Sequence, residues 1–187
     1  MMLRKTCAAF VLGGLAATTA SAGGFALDQN QPSGPTYMAG FSQTDLAQSF
    51  QTQQGSLATV GAGILLQGGI GSSDLVRISL YDALPNAGGN LLAQGEATGT
   101  QGEWVDVFWT GVNLTPDTTY FLVFDGNTTL GIAGDTSGPY PHGHVYANAG
   151  FSPFTGFDYA FRTWVIPTPG AFAIIGLAGL ASTRRRR

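Results

Sequence analysis

Leu114-Thr-Pro-Asp-Thr-Thr-Tyr120-Phe-Leu-Val-Phe124 is the stretch from which a fold can be read. Pro116 and Asp117 signal a turn. Behind it Tyr120, Leu122 and Phe124 fall on alternate positions, the period of a strand with one face in a core. A Tyr that opens a core strand straight after a Pro-led turn is placed as a tyrosine corner. There the phenol hydroxyl bonds back to the backbone of the turn and pins a Greek-key crossover. The other reading of Tyr120 is a ring that stacks on a ligand.

The same alternation recurs on both sides. Val76, Ile78 and Leu80 share a face of Leu75–Tyr81, and Val105 and Val107 share one, with Trp109 beside them. Tyr159, Phe161, Thr163 and Val165 form a third set. Gly, Pro, Asn and Asp punctuate the runs between. Strands are expected over 36–41, 47–52, 58–67, 75–82, 91–96, 103–110, 119–125, 130–133, 143–148 and 159–166. No long amphipathic helix appears before the C-terminal tail. The chain therefore reads as all-β, a Greek-key or jelly-roll-like β-sandwich over 23–166. Asp45-Leu-Ala-Gln-Ser-Phe50, Gly102-Glu-Trp104 and Asp158-Tyr-Ala-Phe-Arg-Thr-Trp164 together resemble jelly-roll modules of secreted bacterial proteins.

Two segments outside this body carry addresses. Over 1–22, Arg4 and Lys5 precede a short apolar run with a Gly13-Gly14 break, and Ala20-Ser-Ala22 offers small residues for cleavage before Gly23. This is the pattern of a secretory signal peptide, cut by signal peptidase. Cys7 is the one cysteine, so the mature chain has no disulfide. At the other end, 167–187 holds Pro167-Thr168-Pro169-Gly170-Ala171, an apolar run to Ala181, and Arg184, Arg185, Arg186 and Arg187. The prolines break any strand or helix. The apolar run rises only about 16 Å as a helix, against roughly 30 Å of hydrocarbon. The arginines stay on the cytoplasmic side of a bilayer.

That tail resembles the PEP-CTERM sorting signal of exported proteins in bacteria that make extracellular polysaccharide. The usual motif has Glu between the prolines; Thr168 stands there in this chain, a Pro-Thr-Pro-Gly-Ala variant. The resemblance implies processing by an exosortase-type transpeptidase and transient inner-membrane insertion through the tail. It implies a destination at the cell envelope, the outer surface or the extracellular matrix. It covers the tail alone.

Charge separates the body from its ends. Arg77 and Arg162 are its only cations, against all eleven carboxylates, a formal charge of −9 where the whole chain carries −3. Such a body is repelled by nucleic acid and by anionic membranes.

Catalytic patterns are thin. His142 and His144 have tolerable metal spacing, but Gly143 and the neighbouring prolines read as a loop. Glu96 and Glu103 would be the carboxylate pair of a glycoside hydrolase, yet they flank a Gly-Thr-Gln-Gly turn on a solvated rim and read rather as ordinary surface charge. Asp125, Asn127 and Asp135 bracket a short strand and suit calcium, or simply form turns; no other cofactor is suggested. Tyr140, Tyr146, Phe151, Phe154 and Phe157 crowd one loop region and offer rings for stacking on sugar, or a cover for one end of the core. Trp104 and Trp164 fall off the core face by alternation. The expected function is a non-enzymatic surface or matrix protein. The alternatives are a carbohydrate-binding module, with extracellular polysaccharide as partner, and a glycoside hydrolase.

Overall fold

Alternating aliphatic and aromatic positions fold as antiparallel strands throughout a computed structural model that describes residues 24–52, 58–68 and 71–166. The signal peptide with its cleavage residues Ala20, Ala22 and Gly23, and the whole 167–187 tail, lie outside the described residues. In chain order the strands are β1 (Ala26–Gln31), β2 (Thr36–Gly40), β3 (Leu46–Gln51), β4 (Ala58–Leu65), β5 (Ser73–Tyr81), β6 (Leu91–Thr100) and β7 (Trp104–Asn113). After the Pro116 turn come β8 (Thr119–Gly126), β9 (Gly131–Asp135), β10 (Val145–Ala147), β11 (Ser152–Phe154), β12 (Asp158–Tyr159) and β13 (Phe161–Ile166). Among the described residues no helix is long and apolar enough to cross a membrane.

Three sheets result, with strand orders β1-β13-β4-β7, β11-β10-β3-β8-β5-β6 and β12-β9-β2. The first two face each other in a sandwich-like arrangement. Ala62, Ile64, Val105, Val107 and Phe161 from one meet Phe50, Val76, Ile78, Leu80, Leu122 and Phe124 from the other in one buried cluster. The Phe50 and Phe161 rings lie 6.4 Å apart across the gap. Fully burying one such side chain contributes about 1.5–3 kcal/mol. Each alternating set read from the sequence points inward: Val76, Ile78 and Leu80 are fully buried, as are Tyr159, Phe161 and Thr163.

The structure departs from the expected strands where polar bonding or a change of sheet decides. β1 was not foreseen because its inward residues are Gln29 and Gln31. Their burial is offset by hydrogen bonds: the Gln29 N–H donates to Thr163 Oγ1 at 3.0 Å, and Gln31 Nε2 donates to the Ser33 carbonyl at 2.9 Å. β11 contains Pro153 and survives as an edge strand paired to β10 alone. The expected strand over 159–166 is two. β12 pairs with β9, then Ala160 donates its N–H to the Ala133 carbonyl at 2.9 Å, and β13 joins β1 and β4.

Consecutive strands β6 and β7 belong to different sheets and cross closely. Glycines permit this: a Cβ at Gly99 would lie 2.5 Å from Leu66 Cδ1, and one at Gly95 would lie 3.0 Å from Val107 Cβ.

The Tyr120 hydroxyl accepts the Thr115 N–H at 2.9 Å, and the ring packs 6.2 Å from Phe50. This is the corner contact expected of the Pro116 turn, and it leaves Tyr120 buried rather than offered to a ligand. Tyr120→Phe is expected to cost about 1–2 kcal/mol, because the Thr115 N–H loses its partner while the ring is kept. Urea unfolding measures this, and an unchanged midpoint would show that the hydroxyl contributes nothing net.

Candidate functional site

The outer face of the β1-β13-β4-β7 sheet carries a cluster that the core does not require. β13 turns Arg162 and Trp164 outward, and β7 turns Trp104, Asp106 and Phe108 outward. These strands are separated by β4, so their backbones lie about 10 Å apart. Their side chains nevertheless meet, because β4 presents Gly61 and Gly63 between them. Gly63 is the register partner of both Asp106 and Arg162, and Gly61 of both Phe108 and Trp164. A Cβ on Gly63 would collide with Asp106 Oδ1, and one on Gly61 would come within 2.7 Å of the Phe108 ring.

Across this bare strand Arg162 and Asp106 form a bidentate pair. Arg162 Nε donates to Asp106 Oδ1 at 2.8 Å, and Nη2 donates to Oδ2. Trp164 Nε1 donates to the same Oδ1 at 2.8 Å. The guanidinium carbon lies 4.4 Å from the Trp104 ring centroid and 5.2 Å from that of Trp164. Both charged side chains are about four-fifths covered, at 21% and 20% exposure. Bidentate geometry between rings is the arrangement for which Arg, and not Lys, is suited. Phe108, 49% exposed, extends the row: its ring lies 6.3 Å from Trp164 and 5.4 Å from Phe25. Leu27 and Ile166 are also exposed here, so among the described residues half of the large exposed apolar side chains concentrate on this one face.

Trp104 and Trp164 therefore lie off the core, as their alternation indicated. The loop aromatics are placed differently. Tyr140 and Phe151 are buried at 8% and 7% exposure and present no free ring face for stacking on sugar. The Tyr140 hydroxyl donates to Gln29 Oε1 at 2.8 Å, its ring stands edge-on to Phe161 at 5.0 Å, and burial pushes its pKa up to about 12. Phe151 sits at φ 54°, a costly conformation for an aromatic residue that its burial over-determines. Tyr146 is half-buried against His144 at 4.6 Å and Phe121 at 5.6 Å. Phe154 stacks on Phe157 at 5.9 Å and with Met38 lines a cleft of about 200 Å³.

Other expected groups do not converge. Among the described residues no three His, Cys, Asp or Glu side chains come together to hold a metal. Asp125 faces Arg77 at 3.3 Å, Asn127 Oδ1 accepts the Thr129 N–H at 3.0 Å, and Asp135 accepts hydrogen bonds from Ser33 Oγ at 2.5 Å and Ser137 Oγ at 2.6 Å. His142 lies edge-on to Tyr140 at 5.9 Å, and burial lowers the His144 pKa. Glu96 is bound to Arg77 at 2.5 Å, and Glu103 is exposed beside the turn between β6 and β7.

Two carboxyls that the sequence did not distinguish are buried. Asp158 is fully buried: Oδ1 accepts from Gln48 Nε2 and Oδ2 accepts the Tyr140 N–H, each at 2.9 Å. Gln48 Oε1 in turn accepts the Tyr159 N–H at 2.9 Å. Burial holds the Asp158 carboxyl above its ordinary 3.8 against these bonds. Asp28, which lines a cleft with Gln29, Tyr140 and His142, is likewise raised by burial, against the neighbouring Thr52, Gln29 and Thr163.

A carboxyl whose folded-state pKa lies above its unfolded value holds its proton more tightly when folded. Its contribution to stability is therefore greatest at low pH. It falls as pH rises from 3.8 through the raised value, and stays at the lower level above it. Asp82, held low by Asn90, and Asp135, held low by Ser137 and Ser33, tilt the whole profile the other way, so variants must be compared. Asp28→Asn is expected to raise stability near neutral pH relative to the parent, with the gap shrinking as acidification passes through the raised value towards 3.8. Denaturant unfolding at stepped pH measures it, and a constant gap would show that Asp28 does not titrate differently on unfolding.

No protein-family model matches this chain, and no curated protein matches it significantly.

Proposed function

We propose that the protein is an exported, non-enzymatic surface or matrix protein whose jelly-roll-like sandwich binds polysaccharide on the outer face of the β1-β13-β4-β7 sheet. The observation that carries this reading is the array in which Asp106 holds Arg162 between Trp104 and Trp164, with Phe108 exposed beside it. Apolar ring faces accept the C–H faces of pyranoses, and fixed polar groups between them accept hydroxyls. Preorganisation supports binding, since the rings and the ion pair hold each other in place before a ligand arrives.

In this reading signal peptidase cuts before Gly23, and an exosortase-type transpeptidase removes the arginine cluster after transient insertion of the tail. The Pro167–Ala171 motif and Arg184–Arg187 support that route. Paired strands β1 and β13 bring the two processed ends together: Ala26 is the register partner of Val165. Both ends thus leave from one edge of the proposed binding face.

Two outcomes test the proposal. Mass spectrometry of protein released from cells should find an N-terminus near Gly23 and no arginine cluster, and intact Arg184–Arg187 on released protein would sink the sorting claim. Trp104→Ala is expected to weaken retention on immobilised polysaccharide by about tenfold, the scale of one lost ring-stacking contact. Retention unchanged in a folded Trp104→Ala protein would move the site elsewhere. Concentration-dependent dimerisation abolished by the same change would make this face a contact between copies instead.

A further inference from the structure

Resting on the proposed polysaccharide site, we infer that its ligand is an uncharged polysaccharide, bound without dependence on ionic strength. The inference follows from where the cations are. The body between the two processing sites has only Arg77 and Arg162. Arg77 lies in register between two carboxylates, Glu96 on β6 and Asp125 on β8. Its Nε donates to Glu96 Oε1 at 2.6 Å, and its Nη1 lies 3.3 Å from Asp125 Oδ2. That group of three is net negative. Arg162 is occupied by Asp106. A uronate or sulfate arriving at either guanidinium would have to displace a carboxylate already seated in bidentate or flanking geometry. It would do so against a body charge of −9.

An uncharged chain meets no such barrier, and the same pair supplies what it needs. Three donors reach Asp106, from Arg162 Nε, Arg162 Nη2 and Trp164 Nε1. A carboxylate offers roughly four lone-pair sites and a guanidinium five N–H donors, so the pair keeps both donors and an acceptor for hydroxyls. Its own charges cancel, so its hydrogen bonds to a hydroxyl gain little from long-range attraction and lose little to salt. Salt-dependent binding of a polyanion requires basic side chains free to release counterions. The sequence supplies none over 24–166 beyond the two already engaged.

Affinity electrophoresis of the purified protein tests this, in gels cast with hydroxyethylcellulose, galactomannan, dextran or polygalacturonate, at about 20 mM and about 500 mM sodium chloride. The expected result is retardation by at least one uncharged polymer, equal at both salt levels, and no retardation by polygalacturonate. Arg162→Gln should reduce retardation about tenfold, while Arg77→Gln leaves it unchanged. Should Arg162→Gln unfold the protein, Phe108→Ser, at an exposed ring, is read in its place. Retardation by polygalacturonate that fades with salt overturns the present inference and leaves the polysaccharide site standing. Retardation by none of the four polymers overturns both.

Discussion

Phe161, Thr163 and Val165 point from β13 into the core, while Arg162, Trp164 and Ile166 point out, and neither set can move without the other. A slip of one residue would bury a guanidinium and expose Phe161. The register is held from both sides. On one side Gln29 of β1 donates to Thr163; on the other Gly61 and Gly63 of β4 leave room for the outer side chains. The packing that stabilises the fold therefore also aims the outer array. The site needs no loop to position it, which is the firmest way to hold side chains in fixed geometry.

Acidity shapes the rest of the surface. With two cations in the body, each is placed where it neutralises carboxylates that the sheet register brings close: Arg77 between Glu96 and Asp125, Arg162 against Asp106. The pairs differ in consequence. Arg77 is 39% exposed and screened by solvent, so it contributes little to stability. Arg162 is sheathed by two indoles, so its hydrogen bonds act in a drier setting.

The inward faces were legible because burial is written in the sequence as a two-residue period. Val76, Ile78 and Leu80, and Tyr120, Leu122 and Phe124, needed nothing more than that period and their flanking turns. The Tyr120 corner was legible because the Pro turn and the ring are local to each other. What escaped was non-local. β1 escaped because Gln29 and Gln31 are buried by partners 134 and 128 residues away in sequence, Thr163 and Tyr159. Buried Asp158 escaped because Gln48, 110 residues distant, accounts for it. The loop aromatics were left between stacking rings and a cover for the core because nothing near them in sequence shows that Tyr140 turns in to meet Gln29. Trp104 and Trp164 were placed off the core by alternation. Their meeting over Arg162 depends on β4 lying between β7 and β13, which no local pattern reveals.

β4 carries the clearest conflict between stability and arrangement. Glycine inside a strand weakens it by roughly 0.5–1 kcal/mol relative to alanine, and β4 has two on one face, at Gly61 and Gly63. At Gly63 a sheet built for stability alone would place Thr or Val and gain cross-strand packing, whereas at Gly61 a Cβ would lie 2.5 Å from the Val107 carbonyl oxygen, so the backbone itself requires glycine there. Either residue at Gly63 would push Asp106 away from Arg162. The ion pair so preserved is bidentate and about four-fifths covered, while the exposed Phe108 ring contributes little burial. Backbone packing accounts for Gly61, and the outer ion pair accounts for Gly63. Gly63 thus lets Asp106 close on Arg162, and its local cost falls on the face proposed to bind a ligand.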